Sequence, residues 1–238
     1  MIISIEGEEK SGKSTFALTA PRPLVGFAFD MGADRAQYGA KIDDLFKDAR
    51  INVVLYSKEA KAQWEGFDIT VYELPPPIQI DSARVVGSRE LWNYFLKLLG
   101  LALIDPYVKS LVIDTATLAR RVRVAAHLQD LQKDSYRPNG ELIPGEKPHR
   151  QLIQIQYGVP NDAIRDIYYA TKGVKKNLAA VHHLTDEYAE VVVDGVKSNV
   201  ATTRRILEGL NNTYSFVDVA MRLTKKPAWI DREGQKHS

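Results

Sequence analysis

Short apolar runs alternate with longer amphipathic stretches along most of the 238-residue chain. A strand buried on both faces is continuously apolar, whereas a surface helix repeats its apolar positions every three to four residues. The runs predict strands at 2–5, 24–29, 51–56, 67–73, 110–115, 178–181, 217–223 and 228–230, and the amphipathic stretches predict helices at 15–20, 34–48, 89–104, 118–131 and 160–173. This alternation is typical of a three-layer α/β/α sandwich with a mostly parallel central sheet.

Turn-forming residues mark the remaining segments. Ser88 is a candidate N-cap for the helix that follows it, and Pro75-Pro76-Pro77 predicts a stiff extended connector. Residues 133–150 contain three prolines, two glycines and several charges, which predicts a mobile loop. Residues 188–200, with Gly195 at their centre, predict an antiparallel hairpin tail. No internal repeat is visible, so we expect a single domain over 1–238.

Composition narrows the function classes. The chain is 45% hydrophobic and 26% charged, an ordinary globular composition, and its formal net charge of +2 gives no overall field for nucleic-acid binding. It contains no cysteine, which excludes disulfides, thiolate metal sites and thiol nucleophiles. The N-terminal segment is too short for a signal peptide, and no apolar run has transmembrane length. We therefore expect a cytoplasmic protein.

The segment GEEKSGKST, residues 7–15, fits the phosphate-binding pattern G-x-x-x-x-G-K-[ST] at every fixed position. It lies between a predicted strand and a predicted helix, where backbone amides and the start of the helix form an anion cradle. We expect Lys13 to reach the β- and γ-phosphates of a nucleotide and Ser14 to ligate Mg²⁺. The candidate nucleotide-binding residues are Gly7, Glu8, Glu9, Lys10, Ser11, Gly12, Lys13, Ser14 and Thr15.

The run Ser110–Thr115, SLVIDT, predicts a buried parallel strand that ends in a carboxylate. The carboxyl ends of parallel strands line the mouth of an α/β sheet, where ligands bind. We therefore expect Asp114 to hold Mg²⁺ beside the phosphates, directly or through water. An aspartate that caps the following helix has the same local pattern, so this prediction depends on the loop at residues 7–15.

The order of these elements resembles that of the RecA-like P-loop ATPases of bacteriophages, a group that includes phage nucleotide-binding proteins and single-strand-annealing ATPases. The resemblance rests on the loop at 7–15 and on the segments PRPLVGFAFDMG, VKSLVIDTATLA and KKNLAAVHHL, and it runs over most of the chain. It implies a RecA-like P-loop NTPase fold that binds ATP with Mg²⁺.

The resemblance also implies partners and a process. Single-stranded DNA would be the partner, identical subunits would assemble as a ring or filament, and a single-strand DNA-binding protein is a further possible partner. The process would be phage recombination or replication in the host cytoplasm. A polar residue at the end of the strand after Asp114 would sense the γ-phosphate: His183, with His182 as the alternative.

One position departs from the family pattern. RecA-like enzymes carry a glutamate two residues after the aspartate that ends their second strand, where it orients the attacking water. Here Gly32 occupies that position, so Asp30 or Asp34 would have to substitute. If neither reaches the water, hydrolysis is slow although nucleotide binding survives. Nucleotide binding is therefore predicted more firmly than ATPase activity.

Basic clusters offer places for DNA and for a neighbouring subunit. Arg204 and Arg205 follow the predicted hairpin, where RecA-like proteins hold a DNA loop. The 133–150 loop offers the ring of Tyr136 among cations for base stacking. After the strand at 217–223, Arg222, Lys225 and Lys226 would reach the nucleotide of the next subunit. The other basic clusters lie at 120–123 and 172–176.

Other functions fit the same loop. A nucleoside or nucleotide kinase would need an arginine-bearing lid over the phosphates, for which the 133–150 loop is a candidate. A nucleotide-binding module with little hydrolysis fits the glycine at position 32. A partitioning ATPase is disfavoured, because Glu8 stands where that class has an early lysine.

Overall fold

The computed structural model describes residues 1–30, 46–79, 84–193, 196–209, 212–224, 229–230 and 236–237. Its strands are β1 (Ile2–Gly7), β2 (Leu24–Ala28), β3 (Ile51–Leu55), β4 (Ile69–Glu73), β5 (Ser110–Asp114), β6 (Asn177–His182), β7 (Leu184–Val193), β8 (Val196–Leu207), β9 (Val219–Leu223), β10 (Trp229–Ile230) and β11 (Lys236–His237). Seven of them form one sheet in the order β3-β4-β2-β5-β6-β1-β9, with every neighbouring pair parallel. The chain is therefore α/β with a parallel central sheet, as predicted.

Helices cover both faces of this sheet. They are α1 (Lys13–Ala17), α2 (Ser88–Ile104), α3 (Ala116–Gln132) and α4 (Gly158–Gly173). The long helices α2, α3 and α4 pack on one face, in a core that includes Phe27 and Phe95. The short helix α1 packs on the other face, where Ile5, Ala17 and Val181 are buried. Residues alternate between the two faces along each strand, so the nearly continuous apolar runs supply both cores.

The strand order determines which residues meet at the carboxyl edge of the sheet. β6 lies between β1, which leads into the loop at 7–15, and β5, which ends at Asp114. All seven strands are parallel, so the three carboxyl ends lie side by side. The antiparallel ribbon formed by β7 and β8 begins at Leu184, two residues after β6 ends, and so leaves the sheet at this same edge.

Several predicted boundaries change. β9 joins the parallel sheet beside β1, and the antiparallel tail consists of the β7–β8 ribbon and the pair β10–β11. The predicted helix at 15–20 is instead α1, which begins at Lys13 and ends at Ala17. The predicted cap of α2 was wrong: Gly87, at φ 82°, is the N-cap, and Ser88 is the first helical residue. Of the helix predicted at 34–48, residues 34–45 lie outside the described ranges.

The rest of the described chain bears on two further predictions. Residues 133–150 contain an antiparallel bridge between Tyr136 and Leu142, and the side chain of Gln132 donates a hydrogen bond to the His149 carbonyl. The mobility of this loop stays a prediction. None of the helices in the described ranges combines the length and apolar character needed to cross a bilayer.

Candidate functional site

The loop between β1 and α1 is a tight turn that depends on its glycines. Gly7 lies against β9, and a Cβ at this position would stand 2.5 Å from the Leu223 carbonyl oxygen and 2.8 Å from the Ser11 hydroxyl. Gly12 precedes α1 in the left-handed region at φ 86°, which a side chain rarely adopts. The two fixed glycines of the pattern thus allow the backbone to turn sharply between strand and helix.

Lys13 points its ammonium group back across this turn. The residue is 7% exposed, and its Nζ donates hydrogen bonds to the carbonyl oxygens of Gly7 at 2.9 Å and Glu8 at 2.6 Å. A buried ammonium needs such partners, because its desolvation is otherwise costly. The loop therefore holds a fixed positive charge at the base of α1.

Asp114 lies at the carboxyl end of β5 and is 6% exposed. Burial, and then the nearby charge of Asp30, raise its pKa to about 7, although a hydrogen bond from Ser14 and the charge of Lys13 act in the opposite direction. Among the described residues nothing donates a hydrogen bond to its Oδ1, which is buried. A buried carboxylate oxygen without a donor is what a bound cation would satisfy.

The loop at residues 7–15 and the Asp114 carboxylate face the same cleft, which has a volume of about 500 Å³. Polar and charged residue types predominate in its lining, which combines residues of the loop at 7–15 with three strand ends: Glu9, Lys10, Ser11, Gly12, Lys13, Ser14, Thr15, Asp30, Asp114, Thr115 and His183. Ligand sites in proteins commonly span about 300–1,000 Å³, so the cleft can hold a nucleotide's phosphates and part of its sugar. The structure thus brings Lys13, Ser14 and Asp114 together, as the sequence analysis predicted.

A magnesium ion fits the donor set at Ser14 and Asp114. Within the described ranges no group of three or more His, Cys, Asp or Glu side chains is placed to hold a metal by itself. Mg²⁺ does not require one, since it typically takes one or two protein oxygens and completes its shell with water and phosphate oxygens. The Ser14 hydroxyl and the Asp114 carboxylate share a hydrogen bond, and the unsatisfied Oδ1 supplies the remaining position.

The two consecutive histidines have different environments. His182 is 3% exposed, its ring nitrogen Nε2 is 3.2 Å from the Tyr168 hydroxyl, and burial lowers its pKa to about 3. His183 lines the cleft, and its backbone N–H donates to the Thr117 hydroxyl at 3.0 Å. Burial, followed by the charge of Lys13, lowers the pKa of His183 as well. Only His183 is therefore placed to meet a ligand, and His182 is a neutral core residue.

The predicted water-orienting residues are only partly placed. Asp30 lines the cleft and acts electrostatically on Asp114. Asp34 and Gly32 lie outside the described residues. Thr115 is a cleft residue that the sequence analysis missed: it follows Asp114 directly, and its hydroxyl accepts the Leu118 N–H at 3.1 Å as the N-cap of α3. Its position next to the strand-end aspartate is the signal that would have identified it.

Arg222 forms an ion pair within its own chain. It lies within β9, in register with Glu6 of β1, and its guanidinium donates to the buried Glu6 carboxylate at 2.7 and 3.2 Å. This ion pair raises the pKa of Arg222. The prediction that Arg222 follows the strand was therefore wrong, because the strand continues to Leu223. Lys225 and Lys226 lie outside the described residues.

The two predicted DNA contacts differ in their charge balance. Arg204 and Arg205 lie in β8, where they face Glu187 at 3.8 Å and Asp186 at 3.1 Å in the adjoining strand. Their charge is thus balanced within the ribbon. The aromatic ring of Tyr136 lies in a separate cavity at the far end of α3, where cations predominate.

Comparison with known proteins adds no family assignment. No protein-family model matches the chain, and no curated protein matches it significantly. The functional argument therefore rests on the geometry of the cleft.

Proposed function

We propose that the cleft binds a nucleoside triphosphate with Mg²⁺ and that the protein is a P-loop ATPase. One observation carries this proposal: a buried lysine in the loop at residues 7–15 and a buried carboxylate with an unsatisfied oxygen face the same cleft of about 500 Å³. The lysine suits a bound polyanion, and the carboxylate suits the cation that accompanies it.

The loop accounts for phosphate binding. The Lys13 ammonium now donates to two loop carbonyl oxygens, and a phosphate oxygen in the cleft would offer it a charged acceptor. A phosphate oxygen carries a net negative charge and a carbonyl oxygen only a partial one, so the ammonium group interacts more strongly with the phosphate. The glycines at positions 7 and 12 let backbone amides approach the ligand without an intervening Cβ.

Ser14 and Asp114 account for the metal. When bound, Mg²⁺ neutralises charge on the β- and γ-phosphates. Asp114 is the residue that changes state: at a pKa of about 7 a large fraction carries a proton at neutral pH, and that proton must leave before the oxygen can act as a ligand. Binding of the metal-nucleotide complex should therefore release protons.

Two groups in the cleft can act on a water molecule. Asp30 contributes a carboxylate to the cleft lining, and His183 stays neutral at physiological pH because its pKa is lowered. A neutral imidazole can donate one hydrogen bond and accept another, which suits a group that senses the γ-phosphate. Gly32 occupies the position of the water-orienting glutamate of RecA-like enzymes, and the glutamate that the described residues contribute to the cleft, Glu9, belongs to the loop at 7–15; we therefore expect slow hydrolysis.

The strand order supports the RecA-like version of this proposal. The resemblance implies a polar sensor of the γ-phosphate at the end of the strand after Asp114. In the structure the strand after Asp114 is β6, which lies between β1 and β5. His183 directly follows the last residue of β6. The kinase alternative needs an arginine-bearing lid, but the cleft lining contains no residue of the 133–150 loop. Single-stranded DNA and self-assembly remain part of the proposal through the resemblance.

Phosphate release from MgATP tests the proposed function, with single-stranded DNA or a mixture of nucleosides added in parallel. We expect slow release of phosphate that becomes faster when single-stranded DNA is added, and no phosphorylated nucleoside. The Lys13→Ala variant should release no phosphate. Transfer of phosphate to a nucleoside would favour the kinase reading. Release that persists unchanged in Lys13→Ala would contradict the assignment of the cleft.

A further inference from the structure

A second cavity, of about 300 Å³, lies at the opposite end of α3 from the nucleotide cleft. The 17 residues of α3, at about 1.5 Å each, separate the two sites by roughly 25 Å. The cavity walls come from the segment before α2, the end of α3 and the start of the 133–150 loop. None of these residues contributes to the cleft.

The charge of this cavity is one-sided. Among the described residues, its lining includes the cations Arg84, Arg89, Lys133 and Arg137 and no carboxylate. Nearby acids balance two of them: Arg89 faces Glu90 and Asp130, and Arg137 faces Glu141. In the described part of the chain, neither Arg84 nor Lys133 forms an ion pair. By contrast, the cavity beside Tyr56 and Tyr94 mixes lysines with two glutamates.

Hydrogen bonds between the segments that form the cavity fix its shape. Arg84 donates to the Gly140 carbonyl at 3.1 Å, and its guanidinium lies 5.0 Å from the centre of the Tyr136 ring. Gly140 is in the left-handed region at φ 94°, which favours glycine, and a Cβ there would displace the Arg84 guanidinium. The amide of Gln132, which is buried, accepts the Val85 N–H at 2.8 Å and donates to the His149 carbonyl at 2.6 Å. One side chain at the end of α3 thus connects the segment before α2 to the end of the 133–150 loop.

We propose that this cavity is a second binding site, one that takes a nucleotide unit: a phosphate beside Lys133 and Arg84, and a base beside Tyr136. Tyr136 is half-buried, and cations beside an aromatic ring are the combination that binds phosphate together with a π-face. The volume admits one such unit. The unit comes either from a free mononucleotide or from a single-stranded oligonucleotide, and the site does not depend on the cleft being a P-loop.

Binding to the purified full-length protein tests the site with two probes at low salt, AMP by calorimetry and a fluorescent twelve-residue oligothymidylate by anisotropy. The variants are Lys133→Gln, which removes one exposed cation, and Tyr136→Leu, which removes the ring. Lys97→Gln removes an equal charge from the cavity beside Tyr56 and Tyr94 and serves as the control. Thermal unfolding confirms that each variant folds.

We expect one probe, or both, to bind the parent protein. Lys133→Gln should weaken binding roughly fivefold and reduce the salt dependence by about one ionic contact, whereas Tyr136→Leu should weaken it roughly tenfold or more. Lys97→Gln should stay within about twofold of the parent. AMP binding identifies a mononucleotide site, and binding of the oligonucleotide alone identifies a strand site.

Three results would overturn the proposal. Neither probe binds; all three variants weaken binding equally, which would indicate a diffuse charge effect; or Tyr136→Leu binds like the parent, which would leave a plain anion site. Lys133 is exposed and outside the core, so its variant keeps the test decisive even if Tyr136→Leu fails to fold. Lys13→Ala should leave this binding intact, which separates failure of this site from failure of the cleft.

Discussion

Replacing Asp114 with asparagine should stabilise the ligand-free protein at alkaline pH while removing its metal ligand. The carboxylate is buried, and its Oδ1 receives no hydrogen bond from the described residues. Asparagine has nearly the same shape and carries no charge, so it removes the desolvation cost. A site that costs stability in the absence of its ligand is typical of function.

The pKa of Asp114 gives the magnitude. It rises from 3.8 to about 7, a difference of about three units, and each unit corresponds to about 1.4 kcal/mol. Because the folded chain binds more protons than the unfolded chain between about pH 4 and 7, the parent loses stability as pH rises through that window. The cost of the charge is about 4 kcal/mol at pH 8, about 2 kcal/mol at pH 5, and close to zero below pH 4.

Urea unfolding of the parent and Asp114→Asn at pH 5 and pH 8, without nucleotide or divalent cation, measures this cost. We expect the advantage of the variant to grow by about 2 kcal/mol between the two values. Asp105→Asn is the control of opposite sign, because hydrogen bonds from Trp64 and Tyr107 lower the pKa of Asp105 and its charge therefore stabilises the fold. An advantage of Asp114→Asn that is constant with pH, or a parent more stable at pH 8, would refute the reasoning.

Three further variants test residues whose surroundings the structure describes. Arg222→Ala should lower the free energy of unfolding by about 1–3 kcal/mol, since it leaves the buried Glu6 carboxylate without its cation; an unchanged urea midpoint would contradict this. His182→Ala should cost about 2–4 kcal/mol by opening a cavity in the core, whereas His183→Ala should change stability little and alter nucleotide turnover. Equal effects of the two histidine variants on both readouts would argue against their separate roles.

The fold class followed from local pattern, because burial on both faces makes parallel strands continuously apolar. The position of β9 in the sheet could not be predicted from the local pattern. Val219–Leu223 has an apolar spacing that fits either an edge of the parallel sheet or an antiparallel tail, and only pairing with β1, more than 200 residues earlier, decides between them. A short stretch of sequence contains no information about which distant strand it pairs with. The same register places Arg222 beside Glu6, a contact that the local sequence does not reveal.

The cleft was predictable to a larger extent, because the spacing in residues 7–15 and the acid at Asp114 are constraints of the chemistry itself. Which of the two histidines, His182 or His183, faces the cleft could not be predicted from the sequence. Successive strand residues face opposite sides, so one of the two had to point toward the loop. Val181 packs on the face that carries α1, and His183, two residues later, points the same way. Choosing between them required knowing which face carries α1.

Calorimetric titration of MgATP into the parent, Lys13→Ala and Lys10→Ala tests the central claim most directly. Lys13 is buried in the loop and Lys10 is exposed in the same loop, so the pair separates a positioned charge from charge alone. We predict that Lys13→Ala weakens binding about 30- to 150-fold, which is the loss of about 2–3 kcal/mol of charge-assisted hydrogen bonding, and that Lys10→Ala stays within about threefold. Parental affinity in Lys13→Ala, or no binding of MgATP to the parent, would contradict the account.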